Sequence, residues 1–189
     1  MIDHFKVIAP FYEKVFPMKY ADEIVKRAGL PVDGLLLDAG GGTGRVSKAV
    51  SEYVTKVVLL DVSLDMLSQG KNDQNLLPVN STTETIPFNT NQFQVILLID
   101  AFHHVLSQER TLCELWRVLQ PGGKLVIIEP DINLFVVKLV ALFEKLMLMR
   151  SHFRKPQDIL KMAQNLRGSD VSLVREQFNA WVIVEKLKI

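Results

Sequence analysis

Two aspartates and a run of glycines carry the first chemical signal. Leu35-Leu36-Leu37-Asp38-Ala39-Gly40-Gly41-Gly42-Thr43-Gly44-Arg45 is a short apolar run that ends in an acid and then in glycines. Glycines there permit positive φ and let a ligand approach the backbone. A helix that starts just beyond them offers unpaired N–H groups. A second apolar run, Lys56 to Leu60, ends at Asp61, 17 residues after Gly44. A carboxylate in that place can accept from both hydroxyls of a ribose. The pattern points to a nucleoside-bearing ligand; its bland alternative is a tight turn with Asp61 as a helix cap. The dinucleotide fingerprint G-x-G-x-x-G fails, because counting from Gly40 puts Arg45 at the third glycine and counting from Gly41 puts Thr43 at the second. A Walker loop fails too, since no Gly-Lys-Ser/Thr follows. What is present is G-x-G-x-G on Gly40, Gly42 and Gly44.

Proton chemistry needs a titratable group near that ligand. His103 and His104 follow a further apolar run, and Glu129 and Asp131 end another. A histidine titrates near neutrality and suits a general base, although capping a helix or bonding a carbonyl explains it as well. Glu129 reads as a structural or substrate-orienting acid and Asp131 as a cap for the next helix. Tyr12 is placed to cover the ligand or to fill the core, whereas His4 and His152 read as surface residues. The single cysteine, Cys113, lies beside Leu112 and Leu115 and is expected to be buried filler. One thiol makes no internal disulfide, and no His, Cys or acidic cluster shows metal-ligand spacing, so no metal is expected.

These residues must be held by a frame, and its rhythm is legible. Leu35–Leu37, Lys56–Leu60, Leu76–Val79, Phe93–Ile99 and Lys124–Ile128 are apolar runs that suit strands buried on both faces of a parallel sheet. Between them lie helical stretches: Arg45–Tyr53; Leu64–Gly70 with Ser63 as N-cap; and the amphipathic Ser107–Leu119, stopped at Pro121-Gly122-Gly123. Pro156–Leu166 reads as a helix closed by Gly168. Val171–Arg175 and Trp181–Lys186 are too close in sequence for a helical crossover and should pair antiparallel at an edge. Residues 1–30 read as helices laid on the sheet. The expectation is an α/β, doubly wound, Rossmann-like sheet, mostly parallel, with an antiparallel C-terminal edge pair.

With these motifs in order, the sequence resembles the class I S-adenosylmethionine-dependent methyltransferases of small-molecule type, close to the quinone C-methyltransferases. The resemblance is carried by LLDAGGGTG, VVLLDVS, TETIPFNTNQFQVILLIDAFHHV and RVLQPGGKLVIIEPD, and by the opening HFKVIAPFYEKV. It implies a seven-stranded sheet, S-adenosylmethionine as cofactor and S-adenosylhomocysteine as product. It implies that Gly40, Gly42 and Gly44 line the methionine and ribose part, and that Asp38 fixes the loop and helps to hold the methionine ammonium. Asp61 would take the ribose hydroxyls, and Val62 and Met66 would flank the adenine. Thr82 and Thr83 would meet the adenine edge, and Leu98 and Ile99 would border the methionine end. His103 and His104 are the candidate catalytic pair. Thr82 stands where the family often has an acid, and Gln94 replaces a common Asp. The alternatives from other classes are a cofactor-binding regulatory protein without turnover and a nicotinamide-dependent reductase; Arg45 in place of the third glycine speaks against the latter.

Composition narrows the acceptor. The 189 residues include 22 Lys plus Arg and 21 Asp plus Glu, a net charge of +1 that gives no global field to attract nucleic acid. A small, apolar molecule is the expected acceptor. Met1 to Pro10 lacks the apolar core of a signal peptide, so a cytoplasmic protein is expected. The apolar fraction of 48% is concentrated partly in the segment 132–149, where Ile132, Phe135, Val136, Leu139, Val140, Leu142, Phe143, Leu146 and Met147 cover most of a helical wheel. Lys138, Glu144 and Lys145 make it a poor membrane span. The whole is read as one domain, 1–189, with a helical substrate lid at about 131–155. Burial of 132–149 under the N-terminal helices, an acceptor pocket, a homodimer contact and peripheral membrane contact all remain open for it. Arg150, Arg154 and Lys155 follow it as a small basic group.

Overall fold

A computed structural model describes residues 21–70, 73–146 and 151–188. Seven strands form one sheet: β1 Leu35–Ala39, β2 Lys56–Asp61, β3 Leu76–Asn80, β4 Phe93–Ile99, β5 Leu119–Pro130, β6 Ser169–Glu176 and β7 Asn179–Lys186. Their spatial order is β3-β2-β1-β4-β5-β7-β6. The first five run parallel, and β7 pairs antiparallel with both β5 and β6. The seven-stranded sheet and its antiparallel C-terminal pair are therefore as the sequence implied.

Six helices accompany the sheet among the described residues: α1 Ala21–Ala28, α2 Arg45–Val50, α3 Leu64–Gly70, α4 Gln108–Val118, α5 Phe135–Leu146 and α6 Pro156–Gln164, with short 3₁₀ turns at Ser51–Tyr53 and Phe102–His104. Ser63 Oγ accepts from Met66 N at 3.3 Å, as expected of an N-cap, and Ser107 Oγ caps α4 in the same way, accepting from Arg110 N at 3.3 Å. Helix α4 ends before the glycines. Leu119 is already extended, and the chain runs through Pro121 straight into a β5 longer than 124–128.

The period-two alternation of the strands splits the apolar core in two. Leu37, Val58, Leu60, Ile96, Leu98, Leu125 and Ile127 pack with Leu112, Leu115 and Val118 of α4 and Ile159 and Ala163 of α6. Leu36, Val57, Val95, Leu97, Val126 and Ile128 pack on the other face with Ile24 and Ala28 of α1, Val50 of α2 and Trp181. Each such side chain contributes about 1.5–3 kcal/mol on burial, which holds the strand ends, and the loops beyond them, in place. Arg27 locks α1 to the far edge: it bonds Glu23 at 2.9 Å and Glu176 at 3.0 Å and lies 4.7 Å above the Trp181 ring.

One expectation is corrected. Cys113 is exposed, because Leu112 and Leu115 take the inward face of α4 and leave the residue between them outside. Helix α5 does not bury its apolar face in the described structure. Phe135, Val136, Leu139, Leu142, Phe143 and Leu146 are all at least half exposed, whereas the acid Glu144 is 3% exposed and turned inward with Val137. Residues 1–20, with His4 and Tyr12, and residues 147–150, with Met147 and Arg150, lie outside the described residues. Arg154 is engaged locally: it bonds Gln108, and it reaches Glu109 at 3.0 Å. His152 is exposed, as expected. Asp131 Oδ1 accepts from Asn133 N at 2.9 Å ahead of α5, and Arg175 lies 3.2 Å from its Oδ2.

Candidate functional site

The loops after β1, β2 and β4 surround a cleft of about 460 Å³. This lies in the range of about 300–1,000 Å³ typical of small-molecule sites. It stands at the carboxyl ends of the strands, on both sides of β1, where the order of an open α/β sheet reverses.

The glycine loop forms one wall. Gly40, Gly42 and Gly44 have φ of +70°, +56° and +78°, conformations in which a side chain is strained. A Cβ on Gly40 would also lie 2.7 Å from that of Ala101, so the loops after β1 and β4 touch at the floor. Gly40 and Gly42 line the cleft, whereas Gly44 turns the chain into α2 and does not. Asp61, at the end of β2, clamps this loop. Its Oδ2 accepts from Gly42 N at 2.9 Å and its Oδ1 from Ser63 N at 2.8 Å. A carboxylate has about four acceptor positions, so one that braces a loop can also accept from a ribose.

Asp38 sits beneath the loop, 1% exposed, with Ser47 Oγ donating to its Oδ2 at 2.6 Å. Burial pushes its pKa up to about 6; the Ser47 hydrogen bond opposes that rise, and the charge of Asp61 adds to it. Val62 and Met66 line the same wall, with Val62 66% exposed at the rim, as a flank for a flat base requires. Thr82 and Thr83 also line the cleft. The Thr83 hydroxyl is engaged with buried Thr111 at 2.9 Å. Glu84 closes the rim, accepting from Leu106 N at 2.7 Å and Ser107 N at 3.1 Å.

Strand β4 separates residues that the sequence grouped together. Ile99 lines the cleft, whereas Leu98 points the other way, fully buried in the core with Leu37 and Leu60. His103 and His104 part similarly. His103 is fully buried and is not a wall residue: its Nδ1 lies 2.6 Å from Glu129 Oε2, and its ring stacks on Phe153 at 4.2 Å. Burial alone would lower its pKa, but the charge and hydrogen bond of Glu129 outweigh this and leave it raised. Glu129 also accepts from Phe102 N at 2.9 Å, so it serves as a structural acid. His104 does line the cleft. Burial and then the charge of His103 push its pKa down to about 3, which keeps it neutral and makes it a weak base.

The stronger candidate base is one that the sequence reading passed over. Asp100 lines the cleft at the end of β4, with φ +52°. Burial, then Glu129, raise its pKa to about 7; His103 and Arg45 oppose this and Glu144 adds to it. A base poised near the working pH is the favourable case for proton transfer. The signal was available: Asp38, Asp61 and Asp100 each end an apolar run.

Fold and loop together define a nucleoside-binding open α/β domain. The sequence pattern of a methyltransferase domain matches residues 37–127. Over 115 residues the chain is 32% identical to the ubiquinone/menaquinone biosynthesis C-methyltransferase of Hahella chejuensis, an overlap that covers 56% of this chain and 46% of that one. The chain spans about half the length of the curated relatives it matches. Among solved structures, a SAM-dependent methyltransferase from Aquifex aeolicus superposes with a TM-score of 0.74 at 19% identity over 96% of both chains. One from Thermotoga maritima, described as a possible histamine N-methyltransferase, gives 0.77 at 18% identity over 97% of both. Residues 37–127 thus resemble a methyltransferase domain, and the fold of nearly the whole chain is that of solved S-adenosylmethionine-dependent methyltransferases. S-adenosylmethionine is the cofactor that this resemblance implies, and the cleft suits it: a positive-φ glycine wall, the carboxylate of Asp61 at the end of β2, and an open apolar rim.

Proposed function

We propose that this protein transfers the methyl group of S-adenosylmethionine to a small, apolar acceptor. The observation that carries the reading is Asp61, which braces the glycine loop through Gly42 while its carboxylate stays in the cleft wall. Bound S-adenosylmethionine supplies an electrophilic methyl on a sulfonium, which passes in line to the acceptor and leaves a thioether.

The chain's own part is to bind, orient and accept a proton. Asp61 receives the ribose hydroxyls, the Gly40–Gly42 backbone lies along the ribose and methionine, and Asp38 faces the ammonium. Met66 and Val62 cover one face of the adenine, and Thr82 offers its hydroxyl at the edge. Ile99, Asp100, Ala101 and His104 form the wall at the methyl end. Asp100 is the group that takes the acceptor's proton, and neutral His104 lines the same cleft. His103 acts as a positioning residue through Glu129.

The relatives are named for a C-methylation in quinone biosynthesis, which supports an apolar, ring-bearing acceptor here. The exposed apolar face of α5 suits the same reading, as an acceptor-side lid or as a homodimer or peripheral membrane contact of a cytoplasmic protein. No described helix is long and apolar enough to cross a membrane. The test is conversion of S-adenosylmethionine to S-adenosylhomocysteine with a panel of hydroxylated aromatic acceptors. Tight cofactor binding without turnover on any of them would favour a regulatory protein instead.

A further inference from the structure

Helix α5 inverts the usual arrangement. Its apolar residues face outward, while Glu144 is turned inward and 3% exposed. Burying a carboxylate has a large desolvation cost unless something compensates it. Among the described residues Glu144 Oε2 has no hydrogen-bond partner, and neither does Nε2 of His103, which is fully buried nearby. Those two residues and His104 place one donor atom each within 4.8 Å of one another. A buried donor cluster whose members carry two unsatisfied polar atoms calls for a third body.

We propose that His103, His104 and Glu144 bind a divalent transition-metal ion of the zinc type, which pins α5 to the wall of the cleft. Two imidazoles and one carboxylate form a donor set that zinc commonly takes. Bonds of about 2.0–2.2 Å imply donor separations of about 3.4 Å, so the side chains close by at most about 1.4 Å, within the reach of small rotamer adjustments. His103 already has the support that a metal-bound histidine needs: Nδ1 is held at 2.6 Å by Glu129, which presents Nε2 as the ligand nitrogen. Linear spacing gives no hint of this set, because Glu144 lies 40 residues after His104. The proposal does not depend on methyl transfer, although His104 also lines the cleft and so couples the two sites.

The test uses the full chain, stripped with a chelator and dialysed, and titrated with Zn²⁺ by calorimetry in parallel with thermal unfolding. One equivalent should bind and raise the unfolding temperature, and Mg²⁺, which prefers oxygen donors, should do neither. Glu144→Gln should weaken Zn²⁺ binding at least tenfold while retaining affinity for S-adenosylhomocysteine, and Cys113→Ser should bind as the parent does. If Glu144→Gln does not fold, Co²⁺ bound to the unaltered chain still reports the ligands through its d–d absorption. No stoichiometric Zn²⁺ binding, equal binding by Glu144→Gln, or cobalt spectra of six-coordinate water-rich ions would overturn the proposal.

Discussion

Ser47 Oγ donates to Asp38 Oδ2 at 2.6 Å between two side chains that are both essentially removed from solvent. This bond opposes the rise in the Asp38 pKa that burial produces. Ser47→Ala should therefore push the Asp38 pKa above about 6 and weaken S-adenosylmethionine binding at neutral pH. The loss of one hydrogen bond to a charged group corresponds to about 1.5–3 kcal/mol. Binding isotherms over a pH series test it: the variant's loss of affinity on acidification should begin at higher pH than the parent's. Superimposable profiles would refute it.

Asp61 carries two jobs, so its removal should show two losses. Asp61→Ala deletes the acceptor for Gly42 N and Ser63 N. Affinity for S-adenosylmethionine should fall on the order of a hundredfold, at about 1.4 kcal/mol per factor of ten. The unfolding temperature should drop as well. Asp61→Asn keeps one oxygen acceptor and should lie between the two. Near-normal cofactor affinity in Asp61→Ala would remove the site assignment.

The stability of the fold should respond to pH through Asp100. Its folded pKa, about 7, lies above the ordinary aspartate value of 3.8, so the folded state holds the proton more tightly. The stability this brings is complete below about 3.8 and is lost as the pH rises through about 7. Asp38 acts in the same direction up to about 6. The groups facing Asp100 are Glu129 on β5, His103 on the adjoining turn, Arg45 on α2 and Glu144 on α5. Asp100→Asn cannot ionise and tolerates the left-handed backbone at φ +52°. Between pH of about 5 and 8 its unfolding temperature should fall less than the parent's, by an amount worth a few kcal/mol. Turnover should nevertheless collapse, and a variant with full activity would exclude Asp100 as the base.

The outer face of α5 should govern the acceptor and not the cofactor. Phe135→Ser combined with Leu146→Ser removes two of its most exposed apolar residues, each 73% exposed. Cofactor affinity should be unchanged, while KM for an apolar acceptor rises or the sedimentation coefficient falls. A variant unchanged in acceptor kinetics, self-association and vesicle binding would leave that face without a role.

The sequence showed the frame more clearly than the wall. Strands buried on both faces are continuous apolar runs, and β4, Phe93–Ile99, was readable to the residue. Strand β5 was underestimated because Pro121-Gly122-Gly123 reads as a stop, whereas here the chain stays extended through it. Leu98 was grouped with Ile99 by family likeness, although alternation along a strand puts neighbours on opposite faces. Cys113 and Glu144 were hidden for one shared reason. A helical wheel shows which face is apolar, but not what neighbouring elements present to it. Glu144 turns inward towards two histidines that the sequence placed in a different element.

The order of the last two strands has a consequence for how the chain is made. Strand β7 follows β6 in sequence but lies between β6 and β5 in the sheet. While the chain emerges from the ribosome, β6 has no place to dock, and the edge of β5 stays open until Lys186 has been added. The nascent domain thus holds its cofactor-side strands complete and one long apolar edge unpaired. In that interval, pairing with another nascent chain competes with closure of the sheet.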